Sequence, residues 1–327
     1  MGIVKDLGRR SRDPLLHDLE LAWSGTFYAQ GFPVEIATNS HDVLEAAAES
    51  WGMYQQEFDC APIELRIIVQ PQGDLAPEPV FRAQRHYFSV VADRDNYAFY
   101  DSRTRFGTAF ISEKTAGDHA WFRFFFLEAM VYMLLAQRDI VVVHAGCVAR
   151  EGLGVLLCGG SGAGKSTLAF ACGRAGWTYV GDDAMWLLPD EVRMAVGRPH
   201  IARFRDDAPR HFPELEGFTA RARPNGKLTI EVPLSAFPQI RTMARCRVGC
   251  VVMLERQVSG SARAVAIPSS EVVDRLIADT PSYEADVRER SQRTVLRLLG
   301  VPAYRLSYSD LDEAVEVLAT LEAGAGE

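Results

Sequence analysis

The stretch Gly159-Gly160-Ser161-Gly162-Ala163-Gly164-Lys165-Ser166-Thr167 decides the reading of this chain. It fits G-x-x-x-x-G-K-[ST], the pattern of a loop that holds phosphate. Its flanks fit too. Gly154-Val155-Leu156-Leu157-Cys158 before it is short and apolar, like a strand. Leu168-Ala169-Phe170-Ala171-Cys172 after it, followed by Gly173-Arg174-Ala175-Gly176, reads as a helix with a glycine-rich stop. Strand, glycine loop and helix are the context in which the pattern has meaning. Several main-chain N–H groups must turn toward one anion, and glycine reaches the dihedrals this needs without a Cβ clash. A helix starting near Lys165 adds the positive end of its dipole. The Lys165 ammonium can reach the β- and γ-phosphates of a nucleotide, and the Ser166 hydroxyl can be placed on Mg²⁺.

Downstream, Thr178-Tyr179-Val180-Gly181-Asp182-Asp183 reads as a strand ending in two acids. In open α/β sheets ligands gather at the carboxyl ends of strands, so these acids are expected beside the phosphates. One carboxylate there can hold Mg²⁺. A second can accept a proton from a hydroxyl. His144 ends the apolar run Ile140–Val143, just ahead of the loop's strand, and by position is expected near the same place. Arg198, Arg203, Arg205, Arg221, Arg223 and Lys227 could neutralise phosphate charge. Arg198 and Arg203 follow the acid-bearing strand, and Lys227 follows the turn Pro224-Asn225-Gly226. His200 and His211 read as loop residues.

The chain has 327 residues and a net charge of −8, with 48% hydrophobic and 24% charged residues, as in a soluble globular protein. Its scattered basic residues argue against nucleic acid as a partner. Six cysteines are dispersed without C-x-x-C spacing, and Cys246 and Cys250, four apart in or beside an apolar strand, read as small core residues. Free thiols and the lack of a secretory signal lead to an expected cytoplasmic location. Residues 121–136 are the most apolar run. They read as a buried helix rather than a membrane span, being short and carrying Arg123 and Glu128.

Two regions are expected. The first, 1–125, is α+β and available for acceptor or partner recognition. It has a polar, loose start over 1–20, strands at 34–37, 63–69, 87–91, 96–100 and 108–111, and a helix His41–Trp51 capped by Asn39-Ser40. The second, 126–327, is the nucleotide-binding core. In it 198–224 reads as irregular, and the tail reads as three helices over 270–278, 284–298 and 309–323, with Ser309-Asp310 capping the last.

The run V-V-V-H-A-G-C-V-A, then G-L-G-V-L-L-C-G-G-S-G-A-G-K-S-T-L-A, then G-W-T-Y-V-G-D-D resembles the HPr serine kinase/phosphorylase family. It is most similar to the smaller HPr-kinase-related kinases, some of which phosphorylate serine on ribosomally made peptide precursors. The match covers roughly residues 140–190. The resemblance implies a fold related to phosphoenolpyruvate carboxykinase, ATP and Mg²⁺ as cofactors, and a peptide or protein acceptor bearing a serine hydroxyl. It implies Asp182 as general acid/base, Asp183 and Ser166 on the metal, and His144 near the phosphates. The chain departs from the family at Gly160 and Thr167, where acids are usual, and lacks the isoleucine-rich signature after residue 198. These departures leave phosphorylase activity and HPr as acceptor open.

The leading expectation is an ATP-dependent kinase acting on a hydroxyl, most simply serine. A small-molecule kinase would use the same centre. A nucleotide-regulated binding module would bind ATP with slow turnover. An ABC-type ATPase lacks its L-S-G-G-Q here, and a GTPase its N-K-x-D. The sequence leaves a homo-oligomer open.

Overall fold

The structure, a computed structural model, describes residues 19–224, 226–280 and 284–322. The expectation for the start of the chain falls, up to residue 18, outside the described residues. The chain divides into two compact units, Met1–Leu134 and Leu135–Glu327.

The first unit is a seven-stranded mixed sheet. Its strands are β1 (Trp23–Ala29), β2 (Phe32–Thr38), β3 (Ile63–Gln70), β4 (Val80–Gln84), β5 (Tyr87–Val91), β6 (Tyr97–Asp101) and β7 (Phe106–Ser112), in the order β1-β2-β3-β7-β6-β5-β4. The helix His41–Trp51 makes the crossover between the parallel neighbours β2 and β3. Alternation in β3 buries Ile63, Leu65, Ile67 and Val69 on one face and turns Glu64 and Arg66 out. The expected cap is built differently. Ser40 is the N-cap without a side-chain bond. The Asn39 carboxamide instead accepts from Val69 N (2.7 Å) and donates to Val69 O (2.9 Å), tying the helix entry to β3. Strands β1 and β4 were not foreseen.

The helix His119–Ala136 has 18 residues, a mean hydropathy of 1.3 and half of its length buried, and it contains a π-turn over Arg123–Leu127. With His119 and Ala120 added to the apolar run, it is long and apolar enough, by length and composition alone, to cross a membrane. A half-buried core helix meets the same description. Trp51 Nε1 donates to Tyr132 Oη at 3.2 Å, joining this helix to His41–Trp51.

The second unit holds the glycine loop. Its strands begin with β8 (Val141–Val143), β9 (Ala145–Arg150), β10 (Leu153–Cys158), β11 (Thr178–Gly181), β12 (Met185–Leu187) and β13 (Met194–Val196). They continue with β14 (Ile201–Phe204), β15 (Arg221–Ala222), β16 (Leu228–Pro233), β17 (Arg241–Thr242), β18 (Arg245–Arg256), β19 (Arg263–Ile267) and β20 (Ala303–Tyr308). The main sheet runs β17-β11-β9-β10-β18-β13-β12-β8, with β20 parallel to the second half of β18. β9 is antiparallel to both β10 and β11, while β18 and β20 run parallel to β10. The carboxyl ends of β10, β11, β18 and β20 therefore point to one edge, and the start of β9, at His144, lies at that edge too. β14, β16 and β15 form a separate small sheet. The structure thus places strands in 198–224, which had read as irregular, and adds β17, β19 and β20. The tail helices are Ser269–Ala278, Ala285–Leu296 and Leu311–Ala319.

Two cores sandwich the sheet. Val155 and Leu157 of β10 face a cluster around Phe170, Phe204 and Phe212, while Leu156 and Cys158 face a second cluster with Val272, Leu276 and Val295. Cys246 and Cys250 are core residues, as expected. All six cysteines are free and only Cys60 is not buried. Burial pushes the thiols of Cys158, Cys172 and Cys250 up to about 12.

Candidate functional site

The chain leaves β10 at Cys158 and turns through 159–164 into the helix Lys165–Arg174. Gly162 (φ +87°) and Gly164 (φ +92°) are left-handed, a conformation that strains other residues. A Cβ on Gly164 would also stand inside the Tyr308 hydroxyl, which donates to Ala163 O at 3.0 Å. Gly164 is the N-cap and no side chain caps the helix. The first-turn N–H groups are left for an outside acceptor, and the helix dipole favours an anion there.

Lys165 is buried, at 6% exposure. Its Nζ donates to Gly159 O (2.8 Å) and Gly160 O (3.1 Å) and lies 3.0 Å from His144 Nε2. Desolvation pulls its pKa below the usual 10.5, with Asp183 opposing. An ammonium only donates, so Nε2 of His144 must accept and the ring proton sits on Nδ1. That nitrogen lies 3.5 Å from Asp183 Oδ1. Lys165, His144 and Asp183 thus form one chain of contacts across the ends of three strands.

The two acids, adjacent in sequence, divide in space. Asp183 lines the cleft, with a half-exposed side chain. Asp182 is 4% exposed, and its Oδ2 accepts from the main-chain N–H of Arg203 at 2.7 Å. Burial raises its pKa from 3.8 to about 6; the Arg203 N–H is the largest opposing influence, and Ser166 opposes as well. Strand β14 lies where it takes the Asp182 carboxylate inward, and Asp183 is the acid left facing the cleft. Ser166 Oγ lies 3.5 Å from Asp182 O. The Ser166 hydroxyl and the Asp183 carboxylate are hard oxygen donors of the kind Mg²⁺ takes, so the residues present fit that ion.

The cleft has a volume of about 510 Å³. Of the loop residues, Ser161, Gly162, Gly164, Lys165, Ser166 and Thr167 line it, and Gly159, Gly160 and Ala163 do not figure among the described residues of its wall. Arg203 and Lys227 line it as expected. Arg203 also pairs with Glu231 at 2.8 Å. Arg198 does not figure among the described residues of its wall. Its backbone N lies instead beside Gly181, 3.2 Å from where a Cβ there would stand. Asn225, in the turn ahead of Lys227, lies outside the described residues.

Arg205 lies against the loop, and Arg256, which sequence reasoning did not name, joins the cleft wall. Arg205 Nη2 donates to Ser161 Oγ at 3.2 Å and is 3.4 Å from the Cβ position of Gly162. Arg256, the last residue of β18, lines the cleft and lies 3.2 Å from Nε2 of His211, which also lines it and had read as a loop residue. A charged residue at the end of an apolar strand parallel to the loop's own strand was the available signal for Arg256.

No protein family matches the chain, and no curated protein matches it. Among solved structures it is similar to the Hpr(Ser) kinase/phosphatase from Coxiella burnetii, at 15% identity, over 54% of this chain and 93% of that one, with a TM-score of 0.27. So slight a likeness carries no argument about function, which is drawn from the chain's own residues.

Proposed function

We propose that this chain is an ATP- and Mg²⁺-dependent kinase that transfers the γ-phosphoryl group to a hydroxyl, that of serine in a peptide or protein. One observation carries the reading. The acid that ends β11 opens onto the same cleft as the glycine loop, joined to Lys165 through His144. A nucleotide-binding loop needs no such acid to hold phosphate. A phosphotransferase needs one to take the acceptor's proton.

In this reading the loop N–H groups and Lys165 bind the β- and γ-phosphates, and Lys165 exchanges its loop carbonyls for phosphate oxygens. The acceptor hydroxyl gives its proton to Asp183 as its oxygen bonds to the γ-phosphorus, and the bond to the β-phosphate oxygen breaks, releasing ADP. His144 orients both Asp183 and Lys165. Asp182 works from below, fixing the strand end against β14 and lying against Ser166. Mg²⁺, which Ser166 and Asp183 would hold, would supply charge neutralisation at the β- and γ-phosphates. Arg205, bonded to Ser161, and Arg256, on the cleft wall, add positive charge to the cleft.

The test is incubation with γ-labelled ATP, Mg²⁺ and serine peptides, with the label located by mass spectrometry. Transfer to serine that vanishes in Asp183→Asn supports the proposal. Near-normal transfer by that variant would remove the proposed base.

A further inference from the structure

The cleft that holds the glycine loop has a second wall, the hairpin of β15 and β16. In it Arg221 pairs with Thr229 and Ala222 with Leu228. Arg223 N donates to Lys227 O at 2.9 Å and Gly226 N to Arg223 O at 2.8 Å, which closes the turn. Arg223, Lys227, Leu228 and Thr229 line the same cleft as the loop. The hairpin is anchored from behind, because Ile230 and Val232 of β16 are buried in the core around Phe170. By alternation the apolar face of β16 continues to Leu228, and there it is left 55% exposed.

The charge of this wall is one-sided. Between Glu216 and Glu231 the chain carries Arg221, Arg223 and Lys227 and no acid, in a protein with 43 acidic and 35 basic residues. Three acids line the cleft among its described residues. Asp183 faces the loop lysine through His144, and Asp206 and Asp207 belong to the segment after β14. The other cations of the cleft have work elsewhere. Lys165 and Arg205 stand on the loop, Arg203 pairs with Glu231, and Arg256 meets His211. What the hairpin adds is a pair of cations beside an uncovered aliphatic side chain. A peptide with a carboxylate next to apolar surface matches both features. A sugar hydroxyl comes with neither.

We infer that the β15–β16 hairpin docks the acceptor, and that the acceptor is an acidic peptide with Asp or Glu flanking the serine that is phosphorylated. The inference rests on the kinase reading above and names the substrate class which that reading leaves open. Charge pairs at an open rim govern encounter and choice of partner. The effect therefore falls on KM for the peptide and not on kcat.

The experiment measures peptide kinetics of the full chain at saturating Mg·ATP. It uses sets of serine peptides that differ only in carrying Asp, Asn or Lys at one position flanking the serine. Wild type should show a KM about ten-fold lower for the Asp peptide than for its Asn twin, and the gap should narrow as salt is raised. The double variant Arg223→Glu, Lys227→Glu should reverse the order and favour the Lys peptide, and that transfer shows the variant to be folded. Equal KM values for the three peptides in wild type would overturn the inference, as would an Asp preference that survives charge reversal. A fall in kcat shared by all peptides with their KM ratios kept would also overturn it, making the two cations phosphate contacts. Each of these results leaves the kinase reading standing. Absence of transfer to every serine peptide would overturn that reading and the inference together.

Discussion

Replacing Asp182 by Asn should stabilise the protein at alkaline pH. The carboxyl is 4% exposed, and burial lifts its pKa from 3.8 to about 6. A raised carboxyl pKa means that the folded chain holds the proton more tightly than the unfolded chain does. Below the unfolded value both states are protonated and the group is neutral in its effect. Stability then falls as pH rises toward the folded pKa, and above it the whole penalty is present. Two pKa units correspond to about 3 kcal/mol. Asn keeps an oxygen to accept from Arg203 N–H and carries no charge to desolvate. In metal-free buffer, the stability of Asp182→Asn relative to wild type should therefore grow by about 2–3 kcal/mol between pH 4 and pH 8. Urea unfolding at several pH values, followed by a probe in the second unit such as Trp177 fluorescence, measures it. A difference that stays flat with pH, or shrinks as pH rises, would refute the burial argument. The same variant should lose phosphotransfer, since a destabilising buried acid beside Ser166 is the kind of residue kept for function at the expense of stability.

Lys165→Ala should lower turnover about a hundred- to a thousandfold, read as kcat with labelled ATP, because it removes charge from the transferred group. Arg205→Ala should reduce kcat more than ATP affinity, and an effect on affinity alone would make it a binding residue only. Gly164→Ala should weaken nucleotide binding, since its φ of +92° strains alanine and the added methyl displaces Tyr308; Tyr308→Phe combined with it should recover part of the loss, and no loss in the single variant would contradict the bracing role. Removing divalent metal with EDTA should abolish transfer, and Mg²⁺ should restore it.

The glycine loop and its helix were legible because their signal is local, with glycines at left-handed positions and the lysine and hydroxyls in one short run. Strands β5 and β6, expected over 87–91 and 96–100, were legible for the same reason, each being one short run. The division between Asp182 and Asp183 was not. It depends on the N–H of Arg203 reaching Asp182, and Arg203 sits on β14, inside a stretch whose arginines and prolines hide a short strand. Strand β20 escaped because Ala303–Tyr308 carries only weak alternation between two helices, and its place is fixed by pairing along Val251–Arg256. His211 and Arg256 meet only after β18 and the segment following β14 come together, which no local pattern records.

The central claim is tested most directly by a crystal structure of the protein with Mg²⁺ and a non-hydrolysable ATP analogue. The account predicts the γ-phosphate at hydrogen-bonding distance from Lys165 Nζ, about 3 Å, with the Asp183 carboxylate about one hydroxyl group away from the γ-phosphorus. A γ-phosphate seated elsewhere, or an Asp183 carboxylate turned away from it with no room for a hydroxyl between them, would contradict the account.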